Sequence, residues 1–227
     1  MIRRRIHFRG GGNLKRHMYR GQIRSGCERE FEDFFEENAS RYKKMTDGGS
    51  LMTISLFIWQ SNLFLYYETV NNDLPPQELF CELNSLLEDW PGESEKRKWM
   101  EMIDIFHFNS PLSAEHWKRK LPIVKRIGRL ARVKPEMLSS YIFYHYQLQE
   151  EDHGAKNKYC IIGLNENLIF HYEEHPIEVE VSPHKGKLKT SNTPKDWQKF
   201  MEPHFIFWDD TEDCDKKLRI MKAVFSF

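Results

Sequence analysis

The feature that most constrains this chain is that its pattern of elements occurs twice. NLFLYYE, ending at Glu68, matches NLIFHYEE, ending at Glu174, at an offset of 106 residues, and IFHF at residues 105–108 matches VFSF at residues 224–227. A repeat of this kind means that each copy buries its apolar face against its neighbour. In the first copy HMYRGQIRSG reads as a strand, and REFEDFFEENASRYKKM sets Phe31, Phe34, Phe35 and Tyr42 at helical spacing before Gly48 and Gly49. SLMTISLFIW and LFLYYETV, parted by Gln60, Ser61 and Asn62, read as a hairpin. PPQELFCELNSLLEDW opens a helix on Pro75 and Pro76, and MEMIDIFHF closes the unit as a strand.

The order β, α, β, β, α, β is the split βαβ unit of ferredoxin-like folds. It restarts after residues 109–125, NSPLSAEHWKRKLPIVK, whose two prolines and several charges read as a connection. RIGRLARV is a strand, KPEMLSSYIFYHYQLQEE a helix with Pro135 in its first turn, KYCIIGL and NLIFHYEE a hairpin, TPKDWQKFM a short helix and KAVFSF a terminal strand. The expected fold class is α+β: two tandem ferredoxin-like modules, residues 17–108 and 126–227, packed face to face as an intrachain dimeric α/β-barrel, a covalent pseudo-dimer open to further oligomerisation. Residues 1–16, with Arg3, Arg4, Arg5 and Arg9 ahead of Gly10, Gly11 and Gly12, read as a mobile basic tail. An extra piece at residues 177–193, between the second hairpin and Trp197, reads as a long loop or small ribbon, either a lid or a plain surface insertion.

Composition narrows the function. With 40% hydrophobic and 30% charged residues the chain reads as a soluble globular protein, and 34 Lys+Arg against 34 Asp+Glu leave no global field to draw a polyanion. Nucleic acid is therefore not an expected partner. No run approaches the roughly 20 apolar residues that span a bilayer, and no apolar run follows the basic start as in a signal peptide, so no membrane partner and a cytoplasmic location are expected. Cys27, Cys81, Cys160 and Cys214 are scattered without a C-x-x-C pair and read as reduced structural thiols rather than zinc ligands. The common nucleotide, serine-hydrolase and zinc-peptidase motifs are missing.

Three groups of residues are able to carry chemistry. Tyr141 and His145 lie four apart on one helix, hence on one face, and a phenol with an imidazole can give and take a proton near neutral pH. They are equally readable as core and rim aromatics. His171, Glu173 and His175 alternate along a strand and have the donor types that suit zinc or iron, but alternation is also how any strand with one polar face reads. Trp197 is either core or a stacking platform for the apolar face of a sugar.

Residues 126–227 resemble the L-rhamnose mutarotase family, small dimeric α/β-barrel enzymes. The likeness rests on VKPEMLSSYIFYH (residues 133–145), Lys158 with Tyr159, NLIF at residues 167–170 leading to Glu174, WQKFM at residues 197–201, and Val224 with Phe225. It implies interconversion of sugar anomers without metal or cofactor, Tyr141 and His145 as the acid/base pair, Tyr159 orienting a hydroxyl and Trp197 contacting the sugar. A second tryptophan that the family has after the first is Gln198 here, and the 177–193 region is longer than the family's connection. In the first half the corresponding positions are Phe34, Asn38 and Ser55, none of which replaces an imidazole as a proton carrier. The expected activity is thus a monosaccharide anomerase with one site, in the second module. Two other readings stand beside it: a non-catalytic sugar-binding or regulatory protein, and an oxygenase or haem-degrading barrel, since fold does not set function.

Overall fold

The computed structural model describes residues 13–92, 94–151, 154–210 and 216–227. The four arginines and three glycines of the basic start lie outside the described residues, as does Cys214. The first half comprises β1 (Leu14–Gln22), α1 (Glu28–Asp47), β2 (Leu51–Trp59), β3 (Asn62–Val70), α2 (Pro76–Leu79), β4 (Met100–Glu101) and β5 (Ile103–His107). The connection holds α3 (Ala114–Trp117). The second half comprises β6 (Lys125–Val133), α4 (Leu138–Glu151), β7 (Ala155–Asn157), β8 (Ile161–Asn165), β9 (Leu168–His175), β10 (Val179–Val181), α5 (Trp197–Met201), β11 (Phe205–Ile206), β12 (Arg219–Ile220) and β13 (Lys222–Ser226). The protein is a mixed α+β structure built on antiparallel sheets.

The two predicted hairpins, β2–β3 and β8–β9, form with equivalent turns: Gln60 and Glu166, the first turn residue of each, sit at φ +53° and +54°. One sheet runs β13-β2-β3-β1-β4 and the other β11-β6-β9-β8-β5, with β12 also on β6. Only Met102 separates β4 from β5, and only Met221 separates β12 from β13. Each closing segment therefore begins on the first strand of its own half and ends on the leading strand of the other half's hairpin, β8 or β2. Backbone bonds from Met102 N to Met18 O and from Met221 N to Gly128 O, 2.9 Å each, carry it across. Followed from pair to pair, the ladders return to the strand where they began.

Between the sheets lies one apolar layer containing Met18, Phe57, Phe64, Leu130, Phe170 and Met221. Repeat-related side chains meet there: Phe64 and Phe170 at 5.6 Å, and Tyr66 and Tyr172 stacked at 3.9 Å. Gly128 on β6 makes the close approach possible, because a Cβ there would stand 2.6 Å from the Phe57 ring. A second layer lies under α1, where Phe31, Phe35 and Tyr42 pack on the first sheet and Phe225 of β13 stacks on Tyr42 at 4.9 Å. A third lies under α4, with Tyr141, Ile105, Val133 and Ile169.

Two expectations need correction. Leu14, Lys15 and Arg16 belong to β1 rather than to a tail. The helix expected across PPQELFCELNSLLEDW is reduced to α2 and one 3-10 turn at Cys81–Leu83. Five apolar side chains there, Leu79, Phe80, Leu83, Leu86 and Leu87, are all buried although most of the segment is not helical. The backbone is satisfied instead through Arg24 N to Leu86 O and Glu88 N to Gln22 O, both 2.8 Å. The 109–125 connection is itself structured: Ser113 caps α3 by accepting from His116 N, and Trp117 is fully buried.

The 177–193 insertion forms a two-stranded ribbon with β7 and then folds over the end of α4, held by two carboxylates. Glu150 accepts from Lys187 N at 2.8 Å. Glu151 accepts from Asn192 N at 3.0 Å, Thr193 N at 2.8 Å, Thr193 Oγ1 at 2.6 Å, and Thr190 Oγ1. Burial opposes the Glu151 charge, but these donors outweigh it and hold the carboxyl at about 2. A depressed carboxyl stabilises the fold above its unfolded value and ceases to do so as pH falls through the folded one. Glu151→Gln at neutral pH is therefore expected to speed proteolytic cleavage within residues 182–193 several-fold while the overall melting transition stays cooperative. Equal cleavage rates would show that the loop does not depend on this carboxylate.

Candidate active site in the second half

Pro135 opens a single 3-10 turn that runs directly into α4, which presents Tyr141 and His145 one turn apart against the second sheet. Both are buried. His145 Nδ1 lies 2.9 Å from the Tyr141 carbonyl oxygen. A carbonyl only accepts, so Nδ1 carries the proton and Nε2 keeps its lone pair. The imidazole stands 4.2 Å from the Tyr141 ring, 5.1 Å from Trp197 and 5.4 Å from Phe106, between centroids. Burial pushes His145 down to about 4 and the Tyr141 phenol up, so at neutral pH the pair is an uncharged base beside an uncharged acid.

Trp197 starts α5, whose first turn is capped by Asp196 accepting from Lys199 N at 3.2 Å. The indole is half-buried, with one side on the α4 core and the rest exposed. Phe106 comes from β5, so the first half supplies one wall of this site through the strand that crosses over. The structure thus brings Tyr141, His145 and Trp197 together. It does not place Tyr159 with them. That side chain is fully buried beside Trp117 and Leu14, its hydroxyl 3.2 Å from Lys118 O and 3.3 Å from Glu178 Oε2, its ring 4.2 Å from the Arg119 guanidinium carbon.

The first half repeats the geometry without the chemistry. Asn38 Nδ2 donates to Phe34 O at 2.9 Å, four residues back on α1, as His145 does to Tyr141 on α4. Ser55 pairs with Ser226 at 2.9 Å between their hydroxyls. The His171, Glu173 and His175 trio stays on one side of β9: Glu173 lies 3.8 Å from His171 Nε2 and 3.0 Å from His175 Nε2 and also contacts Arg129, while His171 Nε2 is 3.2 Å from Cys160 Sγ. Among the described residues no three histidine, cysteine or carboxylate side chains converge as a metal site would need.

A second polar cluster, not anticipated from the sequence, lies at one end of the layer between the sheets. Arg119, from the connection, joins two fully buried carboxylates, donating to Glu68 at 2.6 and 2.9 Å and to Glu174 at 2.7 and 2.8 Å. Trp117 Nε1 also donates to Glu68, at 2.8 Å, and Tyr172 to Glu174 at the same distance. Burial opposes the Glu68 charge, and the Arg119 guanidinium outweighs it and holds the carboxyl below its ordinary value. The signal in the sequence was the repeat itself, which ends on Glu68 and Glu174.

No family model matches the chain, and no curated protein matches it. Two solved structures do. One, named "putative monooxygenase" and from Lactobacillus acidophilus NCFM, is 9% identical, with 94% of this chain and 95% of that one covered at a TM-score of 0.38. The other has the same name and comes from Fusobacterium nucleatum subsp. nucleatum; it is 11% identical, with 96% and 95% covered at a TM-score of 0.39. At these scores the likeness carries no argument about this chain.

Proposed function

We propose that the protein is a monosaccharide anomerase of the L-rhamnose mutarotase kind, with a single site in the second module of a tandem ferredoxin-like pseudo-dimer. The observation that carries the reading is the His145 tautomer. With Nδ1–H tied to the Tyr141 carbonyl, Nε2 is the atom left to accept a proton, beside a phenol that holds its own. The pseudo-dimer is supported by the exchanged closing strands and by the paired Phe34–Asn38 and Tyr141–His145 geometries.

In this mechanism His145 Nε2 takes the proton of the anomeric hydroxyl as the bond from the anomeric carbon to the ring oxygen breaks. The Tyr141 hydroxyl gives its proton to that ring oxygen. Closure on the other face of the aldehyde returns both protons. The half-buried Trp197 indole stacks on the apolar face of the sugar. Saturation-transfer NMR on a panel of free sugars that includes L-rhamnose tests this. Exchange above the spontaneous rate is expected for at least one sugar, reduced on the order of 100-fold or more in His145→Gln and in Tyr141→Phe, with folding checked by thermal melting. Because His145 titrates at about 4, the catalysed rate should be flat from neutral pH down to about 5 and fall as pH drops through about 4. Enhanced exchange that survives His145→Gln would sink the mechanism.

One observation favours a second reading, a sugar-binding protein without turnover: a histidine held at about 4 is a weak base. In that case a sugar raises the melting temperature in a His145- and Trp197-dependent way while anomer exchange stays at the spontaneous rate.

A further inference from the structure

The geometry points to a second catalytic centre, a serine nucleophile at Ser110 activated by His107 and Asp104, which would hydrolyse small carboxylic esters. It is separate from the His145 site and does not rest on the anomerase reading. Ser110 Oγ lies 2.9 Å from His107 Nε2, the separation at which a hydroxyl hands its proton to an imidazole. On the other side of the ring, Asp104 Oδ2 is 2.8 Å from Nδ1. It sits off the N–H axis, so Nδ1 is otherwise a buried group without a hydrogen-bond partner. Such a group costs free energy unless something engages it, and the Asp104 carboxylate, 41% exposed, has room to rotate into line.

Two residues three apart on one strand, as Asp104 and His107 are on β5, do not ordinarily share a side, because strand side chains alternate; Ser110 follows just beyond the strand's end. Here a bulge between Asp104 and Phe106 breaks the alternation and brings Asp104 and His107 together. Bulges of this kind re-aim side chains and are over-represented beside active sites. His107 is fixed further by its backbone N–H, which donates to Gln149 Oε1 of α4 at 2.9 Å.

The centre opens into a cavity of about 410 Å³ formed between the end of β5, the end of α4 and residues 182–187 of the insertion. Gly186 lets the insertion close on α4, since a Cβ there would lie 2.0 Å from the Glu150 carbonyl oxygen. Lys185 lines the same space, as does the Glu150 carboxylate, and the lysine is the group assigned to a developing oxyanion. The insertion then acts as a roof over a nucleophile.

The chemistry is balanced without a cofactor. Ser110 Oγ adds to the ester carbonyl carbon while its proton passes to His107 Nε2. The tetrahedral adduct collapses with cleavage of the ester C–O bond, and the alcohol leaves with the proton from His107. Water, giving a proton to His107, then adds to the acyl-serine, and collapse releases the acid and returns the proton to Ser110.

The test is exposure of the full chain to a fluorophosphonate probe at neutral pH, with the modified residue located by mass spectrometry and p-nitrophenyl acetate turnover followed in parallel. Covalent modification at Ser110 is expected, absent in Ser110→Ala and slowed on the order of 100-fold in His107→Gln. Asp104→Asn should slow it while leaving the melting temperature unchanged, which a merely structural role would not produce. No modification of Ser110 in the folded protein, or equal rates with and without His107, overturns the proposal.

Discussion

Arg119→Leu is expected to destabilise the protein by about 3–5 kcal/mol, the usual cost of removing one partner from a buried ion pair. In a chain of 227 residues that corresponds to a fall in melting temperature of roughly 10 °C, at about 2–4 °C per kcal/mol. The size follows from what the substitution leaves behind. Glu68 and Glu174 are both fully buried, and all four of their strong Arg119 contacts are at 2.9 Å or less. Without the guanidinium, two carboxylates face each other in a site with little water.

The sign of the pH dependence provides a second check. In the native protein Glu68 is held below its ordinary value, so it stabilises the fold above the unfolded carboxyl range and loses that contribution as pH falls below it. In Arg119→Leu the same group is raised by burial and by the second carboxylate, so the variant should gain stability, relative to the native protein, as pH falls from 7 toward 5. Glu68→Gln added to Arg119→Leu should recover part of the loss, because only one buried carboxylate of the pair then remains. Thermal melts at pH 7 and 5 decide it. An Arg119→Leu variant melting with the native protein at pH 7 would show that the cluster is hydrated and contributes little.

The same cluster marks where the sequence stops being legible. Helices α1 and α4 and both hairpins are readable because their signals are local: Phe31, Phe35 and Tyr42 at helical spacing, Pro135 at a helix start, and polar turns between β-branched and aromatic runs. Tyr141 and His145 are placed on one face by spacing alone, and the structure adds what spacing does not contain, namely which imidazole nitrogen is free. Arg119 is invisible by comparison. It sits in HWKRKLP, among charges and a proline that read only as a connection, and its partners are 51 and 55 residues away. Tyr159 shows the same limit, since its surroundings are set by Trp117 and Glu178 from two segments outside the repeat pattern. The Asp104–His107–Ser110 group depends on a bulge, which single-strand alternation does not reveal.

The closing strands mark a further limit, and they lead to the second large expectation. MEMIDIFHF and KAVFSF read as the last strand of their own halves, because nothing in a short apolar strand names the sheet it will join. In the structure MEMIDIFHF belongs to both sheets, its second part on the other half, and KAVFSF lies wholly on the other half. Residues 1–125 and 126–227 made as separate chains are therefore expected not to fold alone. The first would lack β13 on the edge of β2 and Phe225 against Phe35 and Tyr42. The second would lack β5 beside β8, and with it Ile105 under α4 and Phe106 against His145. Both would expose the layer that holds Phe64 against Phe170 and Tyr66 against Tyr172. Loss of a single buried Phe costs about 3–5 kcal/mol, and a whole domain is stable by only about 5–15 kcal/mol, so forfeiting a strand and half a core exceeds the margin. Each fragment alone should show no cooperative melt, and an equimolar mixture should recover one. In the intact chain Phe225→Ala should cost about 3–5 kcal/mol by the same argument. A fragment that melts cooperatively on its own would mean that its closing strand can fold back onto its own half, and that the exchange seen here is one of two accessible pairings.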